Sequence, residues 1–374
     1  MKHFALTLFL ALGVSLAAAS IARAEILVGL AAPYTGAMAW GAEETERGVE
    51  MAVAHLNAAG GVLGQQIQII RADDFCDAEQ AVAAANKLVA YGVDVVLGHQ
   101  CSGAAIPASK VYAEAGLPMM TEGATNPLLT EQGLSNVFRI VGRDDEQGPM
   151  VGNHLADHWG DSNIAILHDG EAYGRGLAQE IKETLNAHGI SESMFQRIEP
   201  GLVDYFDMVE KIRANEIDVL YYAGYQREAA LLVRQLRSRG SGLQFISGDG
   251  VTTEDYGLIA GDAADGTLFT AYSEAQDFPE ARSVVAAFRA ADLEPRGTTL
   301  LAYAALQAWA QAVEKARTLD SNAVAKALRS QEFDTVLGTI GFDDKGDVYG
   351  YEPFAWYVWQ DGDYTPIDPA ELTE

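Results

Sequence analysis

His154 and His158 stand four residues apart, a spacing that sets two imidazoles on one helix face and could chelate a metal. No third ligand lies near them in sequence, so the pair reads as surface residues. Asp73-Asp74 offers two carboxylates for acid–base work, but adjacent residues at a strand end point to opposite faces, and a turn role fits better. His99 and Cys101 form a His-x-Cys pair without the second His or Cys cluster that zinc spacing requires. The sequence contains no H-E-x-x-H, no G-x-S-x-G, no Walker P-loop and no G-x-G-x-x-G following a strand. Catalysis, a metal site and a cofactor are therefore not expected. What remains is four segments of small polar and aromatic residues: His99-Gln100-Cys101-Ser102-Gly103, Thr121-Glu122-Gly123-Ala124-Thr125-Asn126-Pro127, His168-Asp169-Gly170-Glu171-Ala172-Tyr173-Gly174 and Ser247-Gly248-Asp249-Gly250. Each follows a strand-like run, the place where open α/β sheets hold their ligands.

The elements that must position these segments alternate between strand and helix periodicity, the pattern of parallel sheets covered by helices, so the fold class is α/β. A first series has strands over 26–30, 66–70, 93–98 and 118–120 and helices over 41–59, 78–91 and 104–115, with Asp77 as an N-cap. The rhythm breaks in the loop 122–133. A second series begins beyond 137–140, with helices over 149–158, 174–188, 205–215 and 227–239 and strands over 163–167, 219–222 and 244–246. Helical stretches over 278–291, 300–317 and 322–330 resemble neither series and read as a return to the first lobe. A polar turn region covers 341–350, and aromatics alternate over 354–359 as in an antiparallel or edge strand. The 374 residues exceed what a single core supports. Two lobes are expected, one from residues 25–143 and 273–352, the other from 144–272 and 353–374, with several short crossings acting as a hinge.

The N-terminus divides as an export signal: Lys2 and His3, an apolar run over 4–19, then Ala22-Arg23-Ala24 as a small-x-small cleavage site. Cleavage after Ala24 implies a mature chain starting at Glu25 and an extracytoplasmic, periplasmic address. The apolar run is shorter than the roughly 20 residues of a membrane span, and no later segment matches it. No cysteine follows the cleavage site to take a lipid. The formal net charge of −28 opposes binding to nucleic acid or an anionic bilayer and reads as a solvated acidic surface. Cys76 and Cys101 are the chain's two cysteines. In an oxidising compartment an even pair reads as a disulfide, contributing about 3 kcal/mol through loop closure.

Longer stretches stand out as a set: AGGVLGQQIQI from Ala59, DDFCDAEQAVAAANKLV from Asp73, GHQCSGAAIPAS from Gly98, DEQGP from Asp145, HDGEAYGRGLA from His168, YYAGY from Tyr221 and FDDKGD from Phe342. Together they resemble the periplasmic leucine/isoleucine/valine-binding proteins of branched-chain amino-acid ABC importers. The resemblance covers essentially the whole mature chain. It implies a type I periplasmic-binding fold with three crossings, a bonded Cys76–Cys101 pair, an amino acid held between closing lobes, and delivery to an importer's membrane subunits. It further implies that Ser102 bonds the ligand's α-carboxylate, that Thr125 binds through its N–H and hydroxyl, and that the Gly123 carbonyl accepts from the α-ammonium. Asp249 then supplies the counter-charge, Tyr173 and Tyr225 seal the cleft from the other lobe, and Trp40 stands beside the ligand side chain. A buried zwitterion needs such charge-assisted partners at both ends. Asp249 stands where the family carries Glu, one methylene shorter. Glu122-Gly123 replaces an apolar stretch, and Glu122 reads as a solvated loop carboxylate that would favour a cationic ligand if it turned inward.

Overall fold

In the computed structural model, which describes residues 25–368, the first five strands form one parallel sheet. The expected leader, residues 1–24, lies outside the described residues, as do 369–374. Strand Ile26–Ala32 sits second in this sheet, between Ile67–Asp73 and Val95–Gly98, with Met119–Thr121 and Val137–Arg139 beyond. Its run ILVGLAA is apolar without alternation because helices cover both faces of the sheet, so residues of either parity are buried. On one face lie helices Ala78–Tyr91 and Ser102–Ala115. The first opens on Asp77, whose carboxylate accepts from the N–H groups of Glu79 and Gln80, and ends at Gly92 in the left-handed conformation. On the other face helix Ala39–Ala58 packs against helix Thr299–Ala316. Their backbones approach so closely at Gly48 that a Cβ there would fall 2.1 Å from the Thr299 carbonyl oxygen.

A second sheet of seven strands has its own cores. Its order is Asp363–Pro366, Phe354–Gln360, Leu268–Tyr272, Gln244–Ser247, Val219–Ala223, Ile164–His168 and Met194–Arg197. The last five run parallel, and the two from the C-terminal segment add antiparallel strands. Aromatic alternation in Phe354–Gln360 thus belongs to an inner strand, whose Trp356 and Trp359 serve opposite faces of the sheet. The chain passes between the sheets three times, at 140–143, 273–281 and 350–353.

Some elements differ from their sequence periods. The helix expected from Pro149 begins at Asp144, where the Glu146 carboxylate accepts from the Arg143 N–H at 3.1 Å and three acidic residues face the positive helix end. Pro149 lies inside this helix, where its missing N–H loses a single ladder bond. Two 3-10 turns occupy Ala275–Asp277 and Pro279–Ala281 ahead of the shorter helix Arg282–Ala290. The expected turn region, 341–350, is the hairpin end of a small antiparallel sheet of Phe333–Thr335, Gly338–Phe342 and Val348–Tyr349. Only its tip is a turn, tied by Asp343 Oδ1 accepting from the N–H groups of Lys345, Gly346 and Asp347.

Candidate functional site

At the C-terminal edge of the five-stranded sheet, three loops meet and are fixed by buried polar groups. Ser102 opens its helix as the first helical residue, with Cys101 at the N-cap. Its Oγ accepts from the Asn126 N–H at 3.2 Å and so ties two of the loops together. The Cys76–Cys101 disulfide, with Cα atoms 5.4 Å apart, fastens the loop after Ile67–Asp73 to the same place. Behind it the fully buried His99 meets Asp74 Oδ2 at 2.6 Å and the Tyr112 hydroxyl at 2.9 Å. Asp74 also accepts from the Cys76 N–H, so the Asp73-Asp74 pair holds a turn, as expected, while one of its members is buried.

The loop after Met119–Thr121 is held more tightly still. Thr121 Oγ1 donates to the His99 carbonyl and accepts from the N–H groups of Gly123 and Ala124. Arg139, wholly buried, donates to the carbonyls of Ala124 at 3.1 Å and Asn126 at 2.8 Å, and its Nε donates to Asp347 Oδ1 at 2.8 Å. Burial pushes the Arg139 pKa down, and Asp347 opposes it. Burial alone would raise Asp347, but Arg139 and Arg143 hold its carboxyl below the usual range. With both neighbouring carbonyls turned to Arg139 and its own accepting from the Asp144 N–H at 3.0 Å, Thr125 is fixed in orientation. Its hydroxyl is buried without a hydrogen-bond partner among the described residues.

The seven-stranded sheet faces these loops with aromatic rings and carboxylates. Tyr173 donates to Asp249 Oδ1 at 2.9 Å and accepts from the Gly250 N–H at 3.2 Å, and its ring lies 5.4 Å from that of Tyr225. Gly248 leaves room for this arrangement, since a Cβ there would stand 2.8 Å from the Tyr173 hydroxyl and 3.0 Å from that of Tyr221. Burial raises the pKa of Asp249, against the opposing Tyr173 hydroxyl and Gln147 amide. Asp144 is raised well above the usual carboxylate range by burial and then by the charge of Asp249. The nearby Thr125 hydroxyl works against that rise without reaching hydrogen-bond geometry. The two sides touch directly. Gln226 donates to the Ala37 carbonyl at 2.8 Å, Asn126 donates to the Ala172 carbonyl at 2.7 Å, and the Tyr225 hydroxyl lies 3.9 Å from Cys76 Sγ.

The structure thus brings together Ser102, Gly123 and Thr125 on one wall and Tyr173, Tyr225 and Asp249 on the other. Trp40 stands in the first turn of Ala39–Ala58, packed on the first wall, with its Nε1 buried and unpartnered. Glu122 is not a solvated loop carboxylate: it is buried, its Oε1 accepts from Thr45 Oγ1 at 2.7 Å, and burial lifts its pKa to about 7. His154 is not a surface residue either. It is buried between the rings of His158 and Trp356, and no group of three metal-ligating side chains occurs among the described residues. An open groove of about 340 Å³ lies apart from the site, between Arg197 and Lys211. Sequence reading missed Asp144, Tyr221 and Arg139. Asp144 is hidden in an acidic first helical turn, and nothing in a lone arginine on a strand marks it as the strut of a loop.

Two α/β lobes with three crossings thus meet through polar and aromatic residues at their strand ends, the arrangement of a two-lobed binding protein. A family model described as "Periplasmic binding protein" matches residues 25–363, and the chain belongs to that family. It is 42% identical over 366 residues to the Leu/Ile/Val-binding protein homolog 1 of Brucella suis biovar 1 (strain 1330), covering 96% of this chain and 99% of that one. It is 38% identical to a leucine-, isoleucine-, valine-, threonine- and alanine-binding protein of Pseudomonas aeruginosa, covering 94% and 95%. Among solved structures, an ABC transporter substrate-binding protein from Desulfitobacterium hafniense in complex with Leu matches with a TM-score of 0.77 at 26% identity, covering 92% of this chain and all of that one.

Proposed function

We propose that this chain is the solute-capturing component of an ABC importer for L-amino acids, taking a branched-chain, aliphatic or small amino acid between its lobes. The observation that carries this reading is the division of the cleft. On one side stand the helix start at Ser102 and the Thr125 hydroxyl, and on the other the half-buried carboxylate of Asp249, which Tyr173 holds at 2.9 Å. A zwitterion matches that division: its carboxylate takes the Ser102 side and the helix N-terminus, and its ammonium takes Asp249 and the Gly123 carbonyl. Tyr173 and Tyr225 cover the ligand with ring surface and a polar tip, and Trp40 borders the side chain.

Ligand contacts to both walls favour the closed arrangement over the open one, which is how binding drives the hinge. The lobes divide at 143/144, 272/273 and 352/353. No bond is made or broken; the closed form presents itself to the importer's membrane subunits. The leader is cleaved after Ala24, which sends the mature chain to the periplasm. A thermal-shift screen of residues 25–374, stripped of ligand by unfolding and refolding, tests this. Stabilisation by leucine, isoleucine, valine or a similar L-amino acid supports it, and stabilisation by none of the L-amino acids refutes it.

A further inference from the structure

Between Ser102 and the Gly123 loop lies a side chain that the reading above leaves without a task. Gln100 follows strand Val95–Gly98 and is 7% exposed. Its carboxamide fills a slot between two glycines from neighbouring loops. A Cβ on Gly41, in the first turn of Ala39–Ala58, would fall 1.8 Å from Gln100 Oε1 and 2.4 Å from Cδ. A Cβ on Gly123 would fall 2.6 Å from Gln100 Cγ. Any other residue at either position would displace the amide. Within this slot Gln100 Oε1 is buried with no hydrogen-bond partner among the described residues, as is Trp40 Nε1 from the residue beside Gly41. A buried amide oxygen left unmatched is unfavourable, so the site discriminates against a neighbour that cannot bond to it.

We propose that Gln100 sets the side-chain specificity of the cleft, which takes an L-amino acid of branched-chain size bearing a hydroxyl or carboxamide in preference to its all-hydrocarbon isostere. The inference rests on the amino-acid reading and sharpens its substrate class. Gln100 packs its Cγ on Gly123 and its Oε1 on Gly41, the neighbour of Trp40, so a ligand whose carboxylate meets Ser102 and whose ammonium meets the Gly123 carbonyl turns its side chain along the Gln100–Trp40 wall. A hydroxyl or carboxamide there completes the amide's bonding, whereas a methyl in the same place buries the oxygen unmatched.

Threonine and valine test this directly, because they share shape and differ by one hydroxyl. Calorimetric dissociation constants for the two are measured on residues 25–374 and on Gln100→Met, which fills the slot with a side chain of similar length, with Gln100→Leu as a second variant. The ratio of the two constants is internal to each protein, so a general weakening cancels. Wild type should bind threonine about 5- to 100-fold more tightly than valine, and either variant should bring the ratio to about unity or invert it. Valine binding wild type as tightly as threonine overturns the assignment even if neither variant folds, as does a threonine preference that survives both substitutions. Absence of binding by threonine, valine, alanine and leucine alike would instead overturn the amino-acid reading on which this one rests.

Discussion

The two walls of the cleft are built on opposite plans. On the first, Ser102, Gly123 and Thr125 present small groups whose positions come from the backbone, pinned from behind by Arg139, Thr121, His99 and the disulfide. On the second, Tyr173, Tyr225 and Asp249 present long side chains that hold one another. Recognition groups on the first wall cannot be separated from the fold, because the residues that aim them also close the core. On the second wall Tyr173 also belongs to the core beneath it, but Asp249 stands on a short 3-10 turn and meets that core only through its carboxylate. The difference teaches that the first wall is preorganised and that the second supplies charge and closure.

If that contrast is right, the largest effects come from breaking the strut of the first wall. Arg139→Ala should lower stability by about 3–5 kcal/mol in urea unfolding, by taking away one of the two guanidinium partners of Asp347 and leaving the Ala124 and Asn126 carbonyls buried and unpaired, and should weaken ligand binding in the protein that still folds. Asp249→Ala on the second wall should weaken L-amino-acid binding by about 2–5 kcal/mol in calorimetry. Its unfolding midpoint should stay near wild type or rise, because an unligated, half-buried carboxylate with a raised pKa is itself unfavourable. A large stability loss in this variant would erase the distinction between the walls. Replacing Cys76 and Cys101 with Ser should lower stability by about 3 kcal/mol, read from the same unfolding curves.

A separate effect is a pH dependence to which both lobes contribute: in the second, burial raises Asp144 well above the usual carboxylate range and Asp169 to about 7, and in the first, two carboxyls act. Burial raises Glu44 to about 8, against the opposing Thr298 N–H, and raises Glu122 to about 7. Each keeps in the folded state a proton that the unfolded chain releases above its ordinary carboxylate pKa, so their contribution is fully present at lower pH and is lost as pH rises. Stability should therefore fall from about pH 5 towards pH 8, with each group adding up to about 1.4 kcal/mol per unit while its folded form stays protonated. Glu44→Gln and Glu122→Gln should each flatten the curve, and a curve unchanged by both would remove these carboxyls as its cause.

The same division decides what could be read from sequence. Asp77 as a cap and the strand-to-helix rhythm of the first series follow local rules, and the structure repeats them closely: helix Ala78–Tyr91 has the expected bounds. The post-strand segments carry the placed site residues because strand ends are where such sheets leave backbone free. Contacts over long separations were illegible. Arg139 works through Asp347, far along the chain, and no local period marks that pairing. Glu122 looked solvated because its partner Thr45 sits on a helix from another part of the sequence. The sequence places the start of helix Asp144–Trp159 late because Pro149 imitates a first-turn proline, whereas the true start is marked by the Glu146 carboxylate accepting from the N–H of Arg143, whose own side chain can accept nothing in return.

The central claim is that the cleft reads a zwitterion, with charge supplied by one wall and neutral donors by the other. Titrating ligand-stripped protein with an L-amino acid that binds it, and then with the same compound lacking its α-amino group, tests that claim most directly. The account predicts saturable binding of the amino acid at one site and a loss of at least about tenfold in affinity for the deaminated compound, with little further loss on Asp249→Ala. Equal affinity for the two compounds, or an undiminished effect of Asp249→Ala on the deaminated one, would contradict it.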